Sequence, residues 1–424
     1  MALLDTRDAE LCLWRDGDPL CSPGFVLLEG GEYRFGTAAQ QQARQRPRDV
    51  SNRFWFQLGT QPLQPPLGAA RHTADLVHMH LRDLHAQAGA PQELSFAVSD
   101  AMPREQLSLL LGVAGACDFR TVGLVSRAVL LGSAAAIEGP ALQVELQLHQ
   151  AVVNELDCEG GEVHLRRSLT LPACGLLSLQ ERAMSAIASA FIQQSRFDPR
   201  RSADSEQALY NQLPAVLEGL AAQGEHSVEV AGQRCRVSAG AMAGIGERLG
   251  EALSQARGGR TLPLLAEPQL QLLCELAAVP GERLPLARDA LWQAYLQHQQ
   301  RIHGDGEALH LVDRLPACDS GRRVQREETA AAAATTAASG PAASAVAPQA
   351  ATHVLLGTRA LPLRGERVDL GDGYQLRHRD GRWTLHGDDA LINGLPASPR
   401  QALALGDTLA LGSSGHGRLI AVVD

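Results

Sequence analysis

The densest polar cluster in the sequence is Ser195-Arg196-Phe197-Asp198-Pro199-Arg200-Arg201, followed closely by Asp204, Ser205, Glu206, Gln207 and Tyr210. Guanidinium groups beside carboxylates suit recognition of a polar partner. The same residues also suit a junction between two helices. Asp198 would cap, Pro199 would take the first helical position, and Arg196 would pair with Asp204 or Glu206. Both readings stay open, and Arg196, Asp198, Arg200 and Arg201 are the candidate partner contacts. Phe54-Trp55-Phe56 is an aromatic knot that either plugs a core or fills a cleft. His72, His78, His80 and His85 lie on or near one helix without the i,i+4 pairing a metal would want, so they read as ordinary helix-face residues. The eight cysteines form no C-x-x-C pair and are spread out as buried free thiols usually are, so no metal site is expected. There is no P-loop, nucleophile elbow or Ser-His-Asp order. All 38 basic residues are arginines, which removes lysine chemistry altogether.

The elements that would position these residues follow from periodicity. Short strands and turns open the chain: 10–14, a turn at 15–18, 25–28, a turn at 29–32, and 33–36. A short helix over 37–46 should stop before Pro47. Helical spacing then predicts helices over 72–88, 103–116, 121–132, 178–195, 202–222, 240–257 and 285–303. Strands are predicted over 94–98, 142–148, 163–171 and 262–265, with a hairpin over 227–237. Residues 328–352 are almost entirely Ala, Thr, Ser, Pro and Gly, which predicts a flexible tether, with a helix over 330–338 as the alternative. Residues 353–424 return to short strands and Asp-Gly or Asn-Gly turns, the pattern of a compact all-β sandwich or barrel.

The net charge of −9 carries no basic stripe, which argues against nucleic acid. No apolar run approaches a membrane span, the first residues do not read as a signal peptide, and cytoplasm is the expected location.

The order of elements over residues 1–316 resembles the nucleotide-binding domain of DnaK-type chaperones. Tyr33-Arg34-Phe35-Gly36-Thr37-Ala38-Ala39 resembles that family's strand-to-helix step. Residues 94–98 followed by Met102-Pro103-Arg104-Glu105-Gln106 resemble a second segment. Ala114-Gly115-Ala116, ahead of Val122 and Ala134-Ala135-Ala136, resembles a third. The helices within 178–222, the hairpin and 240–257 resemble its second-lobe insertion, here 178–257. The resemblance implies an α/β, two-lobed actin-like ATPase fold around a nucleotide cleft. It divides the chain into a body at 1–316, a linker at 317–352 and a small β-sandwich at 353–424.

The departures shape the functional expectation. The family's first phosphate loop is D-x-G-T-T, and its place here holds Asp5-Thr6-Arg7-Asp8-Ala9. Glycine there lets backbone N–H groups approach phosphate oxygens, whereas Arg7 fills the space and Asp8 opposes a polyanion. The second loop, D-x-G-G-G-T, is replaced by residues 144–150 without glycine; the adenosine-side glycines give way to Ala266-Glu267-Pro268, and Trp55 stands near the family's lysine. Asp5, Thr6 and Arg7 are therefore the residual phosphate-loop positions. The expectation is a non-catalytic adaptor or chaperone-like scaffold, a pseudo-ATPase without cofactor that binds protein partners. The alternative is a diverged ATPase that still takes ATP and magnesium. The carboxy-terminal module is similar to forkhead-associated domains through Leu391-Ile392-Asn393-Gly394 and the run 405–412. It lacks their S-x-x-H, so Asn393 is either a turn residue or a partner contact, and phosphopeptide signalling is a further alternative.

Overall fold

The computed structural model describes residues 1–277, 279, 281–303 and 309–318. Of the remainder it describes 353–356, 359–371, 373–379, 382–387, 390–392, 395–396, 403, 408–411 and 416–420. The chain divides into two compact units, Met1–Val324 and Gln325–Asp424. The expected tether, and with it the alternative helix at 330–338, lies outside the described residues.

The first unit opens with β1 (Ala2–Asp5), β2 (Leu11–Arg15) and β3 (Asp18–Ser22). A hairpin of β4 (Val26–Glu29) and β5 (Glu32–Phe35) follows, then the one-turn α1 (Thr37–Gln40) and the short strands β6 (Val50–Ser51), β7 (Pro62–Leu67) and β8 (Ala70–His72). Next come α2 (Thr73–Gln87), β9 (Glu93–Val98), α3 (Arg104–Ala114), β10 (Arg120–Ser126) and α4 (Arg127–Ala134). The second half repeats the plan with β11 (Ala141–Leu146), β12 (Gln150–Glu159), β13 (Glu162–Pro172), α5 (Leu176–Ser195), α6 (Ala203–Gln223) and the hairpin β14 (Glu225–Val230) and β15 (Gln233–Ser238). It closes with α7 (Glu247–Arg257), β16 (Leu264–Ala266), α8 (Pro268–Leu276), β17 (Arg283–Pro285), α9 (Ala290–His303), β18 (Leu311–Val312) and β19 (Arg314–Pro316).

These strands build two six-stranded mixed sheets, β3-β2-β1-β9-β10-β18 and β19-β13-β12-β11-β16-β17. In each, three consecutive strands run antiparallel and the next two join parallel on the free side of the first. α2 and α3 cover one face of the first sheet, and α5 to α8 pack with the second. The layer between the sheets is α4 and α9. α4 is buried on nearly all sides, and its polar residues Arg127 and Ser133 are hydrogen-bonded within the protein. The last two strands return to both sheets, with Leu311 opposite Leu124 on β10 and Leu315 opposite Val163 on β13.

Several elements differ from expectation for identifiable reasons. The predicted helix at 121–132 is a buried parallel strand followed by a helix. Val122, Leu124 and Val125 belong to β10, and the Ser126 hydroxyl starts α4 by accepting from the Val129 N–H at 3.1 Å. The predicted helix at 37–46 is regular only over α1. β3 was hidden by Asp18 and Pro19, which edge strands tolerate. β12 was hidden by its polar residues, which are satisfied across the sheet. Asn154 donates to Gln143 at 2.7 Å, and Arg167 donates to Glu155 at 2.6 Å. α8 begins at Pro268, where only a missing loop had been read. The cysteines are also not all free: Cys12 and Cys21, directly opposite on β2 and β3, form a disulfide.

The second unit holds two antiparallel sheets. One pairs strands Arg359–Pro362, His353–Leu356, His416–Ile420, Thr408–Leu411, Ala390–Ile392 and Leu395–Pro396, in that order; the other pairs Arg367–Gly371, Tyr374–Arg379 and Arg382–His386. Val354, Ile392 and Leu409 of the first share an apolar cluster with Leu376 and Leu385 of the second. Among the described residues no helix is long and apolar enough to cross a membrane.

The closest backbone approach is at Gly175, ahead of α5. A Cβ there would sit 2.3 Å from the Gln150 nitrogen and 2.4 Å from the His149 carbonyl carbon, both backbone atoms of the β11–β12 turn. Gly175→Ala should therefore cost about 1–3 kcal/mol in urea unfolding, as overpacking does when side chains cannot yield. An unchanged midpoint would contradict this packing.

Candidate functional site

Asp5 ends β1 and Glu267 follows β16 at the start of α8, so each of the two sheets brings a carboxylate to Arg127. Arg127, the first residue of α4, lies between these acids and is fully buried. Its Nε and Nη2 donate to the two Asp5 oxygens at 2.8 and 3.0 Å. Its Nη1 and Nη2 donate to the two Glu267 oxygens at 3.0 and 2.7 Å. This is a planar fork gripping two carboxylates at once. Burial works against the charge on Arg127, but Asp5, Glu267 and Glu145 outweigh it and hold its pKa well above the usual arginine value. Burial likewise works against ionised Glu267, and Arg127 and Arg7 reverse that and keep its pKa low. Glu145, wholly buried on β11, goes the other way: burial pushes its carboxyl up despite Arg127.

The turn after β1 surrounds this pairing. Thr6 uses both its N–H and its hydroxyl on the Ala97 carbonyl, and the Arg7 N–H goes to Asp5. The Arg7 guanidinium reaches Glu10 at 3.4 Å and Gln269 at 3.5 Å. Asp8 accepts the Leu148 N–H at 2.8 Å with Oδ1, and its Oδ2 has no hydrogen-bond partner. The matching β11–β12 turn is equally engaged, its Gln147 N–H on the Gln150 carbonyl. The N–H groups of Thr6, Arg7, Gln147 and Leu148, which a phosphate cradle at these turns would need free, are thus bonded to protein atoms. Burial, reinforced by Glu145, pushes the Asp8 carboxyl up to about 7.

Farther out, a second set of contacts ties the halves together. Arg44 donates to Glu206 at 3.2 Å and Glu181 at 2.9 Å, and its guanidinium lies 4.8 Å from the centre of the Tyr210 ring. The Arg44 N–H donates to Gln207 at 2.7 Å, and Gln45 donates to Asp204 at 2.6 Å. The acids expected to pair with Arg196 are held instead by the segment after α1.

A pocket of about 260 Å3 is lined by Trp55 and Phe56, by Thr6 and Asp8 of the turn after β1, and by Gln147 of the turn after β11. Trp55 belongs to the core as well, donating its indole N–H to His80 Nδ1 at 3.0 Å. His80 Nε2 must then carry the proton and donate to Ser22 at 2.8 Å. Burial drives its pKa down to about 3, so it is a neutral core residue.

Of the residues singled out in the sequence, Asp5, Thr6 and Arg7 meet here. Arg196, Asp198, Arg200 and Arg201 lie elsewhere, on the connection between α5 and α6. Arg196 ends α5 in a left-handed conformation. Asp198 caps the turn at Pro199–Arg201 and accepts from the Arg200 N–H at 3.0 Å. Arg200 also reaches Ser185, and Arg201 is exposed. Asn393 lies outside the described residues. Sequence reasoning missed Arg127, Glu145 and Arg44. One signal was available: a lone arginine inside the apolar run 122–131 must bring its own acids with it. Glu10, Cys12 and Cys21 also bring an oxygen and two sulfurs within 4.8 Å of one another, but the disulfide engages both sulfurs. No protein-family profile matches the chain, and no curated protein is detectably similar to it.

Removing Arg127 would strand two buried acids. Arg127→Met should lower unfolding free energy by about 3–5 kcal/mol, and adding Asp5→Asn and Glu267→Gln should recover much of the loss. Urea titration of the single and triple variants checks this.

Asp8 makes stability depend on pH with a definite sign. Its folded pKa, about 7, lies above the ordinary 3.8, so the folded chain holds this proton more tightly than the unfolded one. Asp8 therefore favours folding in acid, and that support is lost as pH rises through about 7. In Asp8→Asn the fall in unfolding free energy between about pH 5 and about pH 8 should be smaller by up to about 2.6 kcal/mol. An identical slope in both proteins would refute the assignment.

Proposed function

We propose that residues 1–316 are a degenerate actin-like ATPase body of the DnaK chaperone type that no longer turns over ATP and works as a non-catalytic adaptor for protein partners. The repeated strand order supports the fold: each sheet has three antiparallel strands extended by parallel ones, as expected of two equivalent lobes. The observation that carries the loss of catalysis is the Arg127 fork between Asp5 and Glu267. Asp5 is the one residue kept from the family's first loop, and it is already paired to a guanidinium. Phosphoryl transfer needs positioned backbone donors, a metal and a cation facing the phosphates. Here the Thr6, Arg7, Gln147 and Leu148 N–H groups are bonded, the retained carboxylate is paired to Arg127, and Asp8 adds an acid.

In this reading the carboxy-terminal unit is a small forkhead-associated-like β module holding a second partner. Its apolar cluster, drawn from two antiparallel sheets, supports a self-contained module. Joined in one chain, each unit raises the effective concentration of the other's partner.

Titration calorimetry of the full chain with ATP and magnesium should give no binding heat, and phosphate release should stay at background. Micromolar binding with turnover would overturn the reading. The adaptor role further requires a stoichiometric protein companion when the intact chain is purified from its native cells, and a chain that purifies alone would count against it.

A further inference from the structure

The pocket beside the Arg127 fork has a chemical character that the fold alone does not require. It lies at the carboxyl ends of the parallel strands β1 and β9, where open α/β sheets bind ligands. Its volume of about 260 Å3 suits a small molecule, and no arginine or histidine lines it. The charged group in its lining is Asp8, which is 5% exposed and whose Oδ2 has no hydrogen-bond partner. Glu145 stands near with a second unpartnered oxygen, its other oxygen accepting from Gln147 at 2.6 Å. Of the nearby guanidiniums, Arg127 is committed to Asp5 and Glu267, and Arg7 reaches Glu10 at 3.4 Å and Gln269 at 3.5 Å while its Nε has no partner. The result is an acidic pocket with an aromatic wall and no cation of its own.

We propose that this pocket binds a small organic cation, an alkylammonium or guanidinium with a short apolar body, whose head pairs with Asp8. Asp8 Oδ2 is itself sealed from solvent, so the carboxyl turns toward the pocket for such a head to supply the donor it lacks. Trp55 and Phe56 offer ring surface to a cation, and Met102 and Pro103 offer apolar contact to its body. Gln106 directs its amide nitrogen to the Phe56 carbonyl, and Gln150 directs its own to Gln147. Their side-chain carbonyl oxygens are the ends that remain for further N–H groups of the ligand. A phosphate would find no cation in this lining, only the Ser99 and Thr170 hydroxyls beside the Asp8 carboxyl and these carbonyls. The proposal stands on the lining alone and holds whether or not the unit is an actin-like body.

Binding should be linked to protons. The charged and titratable groups facing Asp8 are Glu145 from β11 and Arg7 from its own turn, with His149 in the adjacent β11–β12 turn. Burial and Glu145 favour the protonated Asp8, and a bound cation favours the ionised one, so binding near neutral pH should release a proton.

The test is calorimetric titration of the full chain with butylammonium, butylguanidinium and benzamidine, with inorganic triphosphate as the anionic control. At least one cation should bind, with affinity rising about tenfold between about pH 6 and about pH 8. Asp8→Asn should abolish binding while retaining a cooperative thermal transition. Should that variant fail to fold, Ala101→Phe, which fills the pocket and leaves Asp8 in place, should abolish it instead. The proposal is overturned if none of the three cations binds, if the folded Asp8→Asn or Ala101→Phe protein binds as tightly as the parent, or if triphosphate displaces the cation.

Discussion

A guanidinium removed from water must keep its counter-ions, and this requirement organises the first unit. Arg127 is wholly buried, and its two acids come from opposite sheets. The helix that carries it is the layer on which both sheets pack. Separating the halves would leave either a bare cation or bare carboxylates in a low-dielectric interior, a cost of several kcal/mol per ion. The two halves therefore behave electrostatically as one body, although their strand orders read as a duplication.

The outer contacts reinforce that coupling by different means. Arg44, Gln45 and their partners on α5 and α6 are partly wet, so each contributes little alone. Their value lies in geometry, because they tie α5 and α6 to the segment after α1.

How much of this was legible in the sequence follows from what each residue depends on. Helices with clear caps could be read, as with α2 behind His72 and α6 behind Ser202, because caps and periodicity are local. The buried strands β9 and β11 could also be read, but β10 and β12 could not, since β10 carries no alternation and β12 carries polar residues whose partners lie on other strands. Asp5 and Thr6 were recognised from their place after an opening strand, but Asp5's partner stands 122 residues away. Charge pairing across such separations leaves no local pattern. The same holds for Cys12 and Cys21, whose pairing depends on the register of a hairpin with an unread second strand.

The six residues from Leu311 to Pro316 touch both sheets in turn, β18 on one edge and β19 on the other. During synthesis, then, neither half can be completed while it is the newest part of the chain. The first sheet must wait with an open edge at β10, and the second at β13, until a segment made some three hundred residues after β1 emerges from the ribosome. Such a topology ties vectorial folding to a late event, and it makes the nascent first half the species most in need of protection from edge-to-edge aggregation.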